Sequence, residues 1–288
     1  MYPGGPRASE TGDKTLSIGF IGLGDQGAPL ATAIAEAGFP LHVWARRPAS
    51  LDAVAGVAHT AHDSVAGLAA AVDVLALCVS EDEDVLDLLT DGLAAALRPG
   101  TVVVNHGTGV PSAAARMAAL CAAHDVGFLD APVSGGHAGA VSRTLTTMVG
   151  GPAALAERCT PVFEAFSAHV HHLGDVGSGQ LAKLFNNTLM MMNQANLEEV
   201  LAVAASLEVD LASLVAVLKN GSAGSFTLSA LGEAITAENV EHLSKVELLD
   251  MDLFAAAMAE RGAPADAVTA RAVAGAEGLV ELMKTLTK

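Results

Sequence analysis

The chain has 288 residues, of which 51% are apolar, 16% charged and only 3% aromatic. That is enough apolar chain for one or two packed cores without disulfides or metal, and too little charge for a disordered polymer. With 15 Lys and Arg against 32 Asp and Glu the net charge is -17, which repels phosphate backbones and anionic lipid headgroups and argues against nucleic acid or a membrane surface as partner.

Residues 1–14, MYPGGPRASETGDK, lack a basic start followed by an apolar block and are expected to be a flexible lead rather than a secretory signal. From Thr15 to Asp175 short apolar runs alternate with longer helical stretches, the pattern of a parallel sheet covered on both faces. Strands are expected over 16–21, 41–44, 72–79, 101–104 and 127–130. Helices fall between them at 28–37, at 81–96 with Ser80 and Glu83 as a capping box, and at 112–124 just after Pro111. The longest apolar stretch, around Val65 to Val79, is interrupted by Asp73 and reads as helix then strand, so no transmembrane span is expected and the cytoplasm is the expected location. A sixth and seventh strand are expected at 145–149 and 169–173, separated by a helix at 153–165. After the glycine-rich break at 174–179 strand signals end, and the rest reads as helical, opening with a long helix at 180–206 that is apolar on most faces. The reading therefore divides the chain into a lead at 1–14, an α/β domain at 15–176 and an all-helical domain at 177–288.

The first strand runs straight into Gly22-Leu23-Gly24-Asp25-Gln26-Gly27 and then a helix. Gly22 permits a tight turn, Gly24 lets the backbone approach a pyrophosphate, Gly27 allows close helix packing, and the helix N-terminus offers N–H groups to the anion. In its strand–turn–helix context this is the fingerprint of a Rossmann-type, doubly wound α/β domain. Gly22, Leu23, Gly24, Gln26 and Gly27 are expected to touch the cofactor, with Val79 and Ser80 at the end of a neighbouring strand. The second strand ends in Trp44-Ala45-Arg46-Arg47-Pro48, with no acid until Asp52 to hold ribose hydroxyls. Arg46 and Arg47 suit a 2'-phosphate, so NADP is expected over NAD; the alternative is a solvated surface pair.

On the long helix Lys183 and Asn187 are four apart and share a face with Met190 and Gln194. A lysine on an otherwise apolar helix borders a cleft or snorkels at a domain seam, and burial would bring its ammonium toward the range where it exchanges a proton with an alcohol or carbonyl oxygen. The stretch from Asp130 to Ala140 carries Ser134, Gly135 and Gly136, which on their own read as a glycine-rich loop and alternatively could turn backbone N–H groups toward a carboxylate. His169, His171 and His172 have no carboxylate-rich partner and read as surface rather than metal ligands. Cys78, Cys121 and Cys159 are odd in number and far apart, with neither CxxC nor zinc spacing, and read as reduced core residues.

Taken in order, GFIGLGxxG at residues 19–27, DAPVSGGxxGA at 130–140 and GxGxxxKxxNN at 177–187 resemble the β-hydroxyacid dehydrogenase family, which includes 3-hydroxyisobutyrate dehydrogenase and tartronate semialdehyde reductase. The resemblance covers the chain from about Leu16 onward. It implies a Rossmann-type domain, an all-helical C-terminal domain opened by a long interdomain helix, and a homo-oligomer, expected as a homodimer. It also implies Lys183 as general acid and base, Asn187 placing the substrate, Ser134, Gly135 and Gly136 holding its carboxylate, and Thr108 beside the nicotinamide.

The chain departs from that pattern in places. Gln26 replaces the usual Met, Asn105 and Gly107 stand where Asp and Ser are common, and the late Lys-Asp pair appears as Met251-Asp252, with Lys245 seven residues before Asp252. The expected activity is an NADP-dependent oxidoreductase acting on a short 3-hydroxy acid or its semialdehyde. With Met251 facing the substrate in place of a cation, a monocarboxylate or less polar carbonyl compound is expected. The alternatives are an imine reductase, against which Lys183 argues, and a non-catalytic NADP-binding scaffold, which Met251 keeps open.

Overall fold

The computed structural model describes residues 15–287; the lead expected over 1–14 lies outside them. Ile-Gly-Phe-Ile forms β1 (Ile18–Ile21), buried along its whole length as a central parallel strand must be. It is followed by α1 (Gly27–Glu36), β2 (Leu41–Trp44), a tight 3-10 turn over Pro48–Val54, β3 (Thr60–Ala61), α2 (Val65–Ala71) and β4 (Val74–Leu77). Then come α3 (Asp82–Leu88), a π-turn over Leu89–Leu93, α4 (Ala94–Ala96), β5 (Val102–Asn105), α5 (Pro111–Ala122) and β6 (Gly127–Asp130). These six strands form one parallel sheet in the order β3-β2-β1-β4-β5-β6, the doubly wound order of dinucleotide-binding folds, with β1 and β4 at the switch point. One core, around Phe20, Leu30 and Ile34, fills one face; the other, around Leu68, Leu75 and Met117, fills the opposite face.

The helix expected over 81–96 is broken. Gly92 sits at φ 110°, so the chain cannot continue as one helix, and residues 82–96 are shared among α3, the π-turn and α4. Nor does Ser80 cap it. The helix begins at Asp82 behind Glu81, without a side-chain cap, because the Asp82 carboxylate instead accepts the Val110 N–H at 2.9 Å.

The sixth and seventh expected strands leave the main sheet. They are β8 (Leu145–Val149) and β9 (Ser167–His172), parallel to each other, and with the short β7 (Val133–Ser134) antiparallel to β8 they make a separate three-stranded sheet. Between them lie α6 (Gly136–Ser142) and α7 (Ala153–Phe163). The remaining elements are all helical: α8 (Ser178–Ser206), α9 (Leu211–Asn220), α10 (Phe226–Ala230), α11 (Val240–Glu260) and α12 (Asp266–Thr287). Close packing of α12 on α8 rests on Gly275 and Gly278. A Cβ at Gly275 would collide with the Met191 carbonyl, and one at Gly278 with the Glu198 carboxylate. The residues of α8 that face inward, among them Leu184 and Met191, pack with Met251 and Phe254 of α11. Among the described residues no helix is long and apolar enough to cross a membrane.

Candidate active site at the base of the long helix

The glycine turn after β1 has the geometry its sequence implies. Gly22 lies at φ +99°, where a Cβ would collide with the Cys78 carbonyl, and Gly27 abuts the Gly22 carbonyl so closely that no side chain fits. Gly24 faces open space in front of the α1 N-terminus. The turn borders a cleft of about 420 Å³ lined also by Leu23, Arg46, Arg47, Val79 and Ser80, so these five expected cofactor residues do converge. Beside it the Nε2 of Gln26 is buried without a hydrogen-bond partner among the described residues. An open approach to a helix N-terminus, an orphaned amide donor and two guanidinium groups fit a dinucleotide phosphate. Arg46 stands 3.7 Å from Asp84 across the cleft, whose far wall also carries Asp87 and Asp91; Arg47 is exposed and makes no ion pair among the described residues.

A buried carboxylate seats α8. Asp130, at the end of β6, is fully buried and accepts the Gly177 N–H at 2.7 Å and the Gln180 N–H at 2.8 Å. The α8 N-cap is Gly177, which has no side chain to satisfy the first-turn donors, so Asp130 caps the helix from another element. Its backbone also exchanges two hydrogen bonds with Gly150, joining the large sheet to the small one. Burial pushes the Asp130 carboxyl up, while the N–H groups of Gly177 and Gln180 pull it down.

One step along, the Gln180 amide donates to the Gly107 carbonyl at 2.7 Å and accepts the Gly109 N–H at 2.9 Å. That clamp holds the loop bearing Thr108 against α8, three residues before Lys183. His106 anchors the same loop from below. It lies edge-on to Phe163 and Phe166, bonds the Ala131 carbonyl through Nδ1 at 2.8 Å, and is held neutral, its pKa pushed by burial to about 4.

Lys183 is half-buried on the face of α8 that meets α11, and its ammonium has no hydrogen-bond partner among the described residues. Burial lowers its pKa, and the Asp250 carboxylate opposes that shift. Asn187, one turn on, donates through Nδ2 to Asp250 Oδ2 at 2.7 Å and accepts at Oδ1 from Asn186 Nδ2 at 3.1 Å. Asn186 Nδ2 reaches Ser134 Oγ at 3.2 Å, beside Gly135 at φ +130° and Gly136 at φ +64°. Ser134, Asn186, Asn187 and Asp250 thus form one polar chain; Gly135 and Gly136 follow Ser134, and Lys183 stands one turn before Asn187 without a hydrogen bond to the chain among the described residues.

The expectation for Met251 is corrected. It is 1% exposed and packs with Leu184, Met191 and Phe254, so it fills the helical core and presents no alkyl surface to a cleft. The preceding residue, Asp250, is the one turned toward Lys183 and Asn187. Lys245 and Asp252 are both exposed.

One further turn back, Glu247 is buried and accepts Gln194 Nε2 at 2.8 Å; its Oε2 and Gln194 Oε1 are buried without partners among the described residues. The sequence carries a signal for it: Glu247 shares the helical period of Met251, Phe254 and Met258, an acid on an apolar face. Burial pushes its carboxyl up to about 7. The folded chain therefore holds a proton that the unfolded chain releases, and stability falls as pH rises from the ordinary carboxyl range through about 7. Glu247→Gln is neutral at all pH and should stabilise the protein by roughly 1–3 kcal/mol at pH 8 while changing little at pH 5. Thermal unfolding of both proteins at the two pH values checks this; an equal difference at both would show that Glu247 does not titrate in that range.

A Rossmann-type sheet with a phosphate-sized glycine turn, joined through a lysine-bearing helix to an all-helical domain, defines a nicotinamide-dependent dehydrogenase. Comparison with known proteins agrees. Residues 17–174 match the family described as the NAD binding domain of 6-phosphogluconate dehydrogenase, and residues 177–284 the family described as NAD-binding of NADP-dependent 3-hydroxyisobutyrate dehydrogenase. An NAD-dependent L-serine dehydrogenase of Pseudomonas aeruginosa is 37% identical over 215 residues, 73% of this chain and 72% of the relative. The 3-hydroxyisobutyrate dehydrogenase of Mycobacterium tuberculosis with L-serine superposes with a TM-score of 0.84 at 26% identity, covering 96% of this chain and all of that one. A protein named Psf3, in complex with NADP+ and 2-OPP, superposes with a TM-score of 0.80 at 27% identity, covering 94% and 99% of the two chains. The chain belongs to the β-hydroxyacid dehydrogenase family, enzymes that bind a nicotinamide cofactor and act on hydroxy acids.

Proposed function

We propose that this chain is an NADP-dependent dehydrogenase that interconverts a short 3-hydroxy acid and its semialdehyde, with Lys183 as general acid and base. The observation that carries the reading is Lys183 itself: an amine half-buried at the base of α8, without a hydrogen bond among the described residues, its pKa lowered by burial. The bound nicotinamide supplies or accepts the hydride. On oxidation Lys183 Nζ takes the hydroxyl proton as the carbonyl forms, and on reduction the ammonium returns it to the carbonyl oxygen. Asn187, held between Asn186 and Asp250, orients the substrate, and Ser134 with the Gly135 and Gly136 backbone receives its carboxylate. Residues 15–176 then serve as the cofactor domain and 177–288 as the substrate and oligomerisation domain.

Support for NADP over NAD comes from Arg46 and Arg47 at the rim of the cleft, where a 2'-phosphate would accept charge-assisted bonds. The paired Arg46→Ala and Arg47→Ala substitution should weaken NADPH roughly 10- to 100-fold and leave NADH nearly unchanged, since each lost charge-assisted bond is worth about 1.5–3 kcal/mol before solvent screening. Dissociation constants for both cofactors test it. Tighter binding of NADH by the native chain, or an unchanged NADPH constant in the variant, would overturn the preference.

The substrate in this reading bears one carboxylate or is a less polar carbonyl compound, because Lys183 is the single cation of α8 and Met251 adds none. Exposed Phe185, Leu189, Val200 and Val203 along α8 support assembly into a homodimer through the helical domains. Three free cysteines suit a reducing compartment, and we place the enzyme in the cytoplasm.

A further inference from the structure

We infer that Asp84 is a specificity-determining residue for the cofactor: it pairs with Arg46 and, with Asp87 and Asp91, faces the arginines across the cleft, so that the preference for a 2'-phosphate stays below what two arginines alone would give. The inference rests on the NADP reading above and adds the element that limits it.

Six acids lie between residues 81 and 91, and they do not share one task. Asp82 accepts the Val110 N–H at 2.9 Å, and Glu83 pairs with Arg116 at 3.5 Å. Asp84, Asp87 and Asp91, at the i, i+3, i+7 spacing of one helical face, line the cofactor cleft instead, whereas Val85 and Leu86 turn into the core. Arg46 Nη1 stands 3.7 Å from Asp84 Oδ1, the arginine side chain 82% exposed and the carboxylate 43%. Asp87 and Asp91 make no ion pair among the described residues. The lining of the cleft therefore sets two cations against three acids.

A 2'-phosphate brings nearly two negative charges at pH 7. It gains charge-assisted bonds from Arg46 and Arg47, but an N–H that Arg46 directs to Asp84 is not directed to the phosphate, and the acids on the far wall repel it. A bare ribose hydroxyl carries no charge, so the wall discriminates against the phosphorylated form alone. An exposed pair such as Arg46 and Asp84 is individually weak, and across a cleft salt screens the acids in part, so the effect is a modest factor. Asp84 carries most of it, because neutralising that residue releases Arg46 and removes a repulsion together.

The test measures binding and needs no turnover. Adenosine 2',5'-bisphosphate and 5'-AMP differ only by the 2'-phosphate, and NADPH and NADH repeat the comparison with the whole cofactor. Asp84→Asn should tighten the bisphosphate and NADPH about 3- to 10-fold and move 5'-AMP and NADH by less than about 2-fold. Adding Asp87→Asn and Asp91→Asn should widen the gap and make NADPH affinity fall more steeply between about 20 and 200 mM salt than in the native chain, because the arginine pair is then uncompensated. Unchanged affinity for the 2'-phosphate compounds overturns the inference. Equal tightening of both members of each pair overturns it too, since the acids would then act on the shared 5'-phosphate. If Arg46→Ala with Arg47→Ala weakens the bisphosphate while Asp84→Asn changes nothing, the NADP preference stands and the inference fails. If the native chain holds the bisphosphate no tighter than 5'-AMP and Asp84→Asn creates a difference, the preference fails and the inference stands.

Discussion

Lys183→Ala should lower kcat at least about 100-fold while NADPH binds as before, the scale on which a positioned general acid or base contributes. The Lys183 side chain is placed by α8, whereas the glycine turn and the arginine pair that would hold the dinucleotide belong to β1, β2 and the loops after them. Proton transfer and cofactor capture are therefore separable. Lys183→Arg should be as slow as the alanine variant, because a guanidinium cannot give up its proton to act as base on oxidation. In the native chain the rate of alcohol oxidation should rise with pH along a titration lying below the ordinary lysine range, since burial lowers the Lys183 pKa against the opposing effect of Asp250. Steady-state rates in both directions, with cofactor affinity measured by fluorescence, decide the matter. Turnover within a few-fold of native in the alanine variant would assign the proton transfer elsewhere.

What could be read from the sequence divides along a physical line. The glycine turn is legible because its constraint is local: Gly22 needs positive φ and Gly27 needs to be small whatever surrounds them, and both are set by a strand and a helix adjacent in the chain. The face shared by Lys183 and Asn187 is legible for the same reason, since helical period alone aligns them. The partners of that face are not local. Which side of α11 meets α8 depends on how the helix is rolled, and a roll of one residue, about 100°, exchanges Met251 for Asp250 at the site. Family spacing points to residue 251, while packing buries Met251 among Leu184, Met191 and Phe254 and turns Asp250 outward to Asn187. The Ser80 capping box failed likewise. A local motif was present, but Asp82 is drawn to the Val110 N–H 28 residues away, and the helix starts later. The separate small sheet could not be told from a continuation of the large one, because β8 carries an apolar run like a strand of the main sheet and the pairing of β9, which reads Ser-Ala-His-Val-His-His and is mostly exposed, is set by contacts far apart in the chain.

Asp130→Ala should be the most damaging single change outside the reacting groups. It removes two hydrogen bonds to a buried carboxylate, at 2.7 and 2.8 Å, from a helix start whose own cap residue is glycine. At roughly 1.5–3 kcal/mol for each bond to a charged group, the expected loss is about 3–6 kcal/mol. That corresponds to a fall in Tm of roughly 5–15 °C for a chain of this size. The effect on rate should exceed what lost stability explains. Asp130 fixes the N-terminus of α8, Gln180 in the same turn clamps the Thr108 loop, and Lys183 follows within one further turn, so slackening the seat displaces the amine relative to that loop. A displacement of about 1 Å at a reacting group can cost on the order of 100-fold in rate. Asp130→Asn distinguishes capping from mere filling of space: it matches the volume, but its amide turns a donor toward the Gly177 or Gln180 N–H, so it should be destabilised nearly as much as alanine. Thermal unfolding of the three proteins, together with kcat measured well below the lowered Tm, checks the argument. A Tm within about 2 °C of native for both variants would mean that α8 is held in place by packing against α11 and α12 alone.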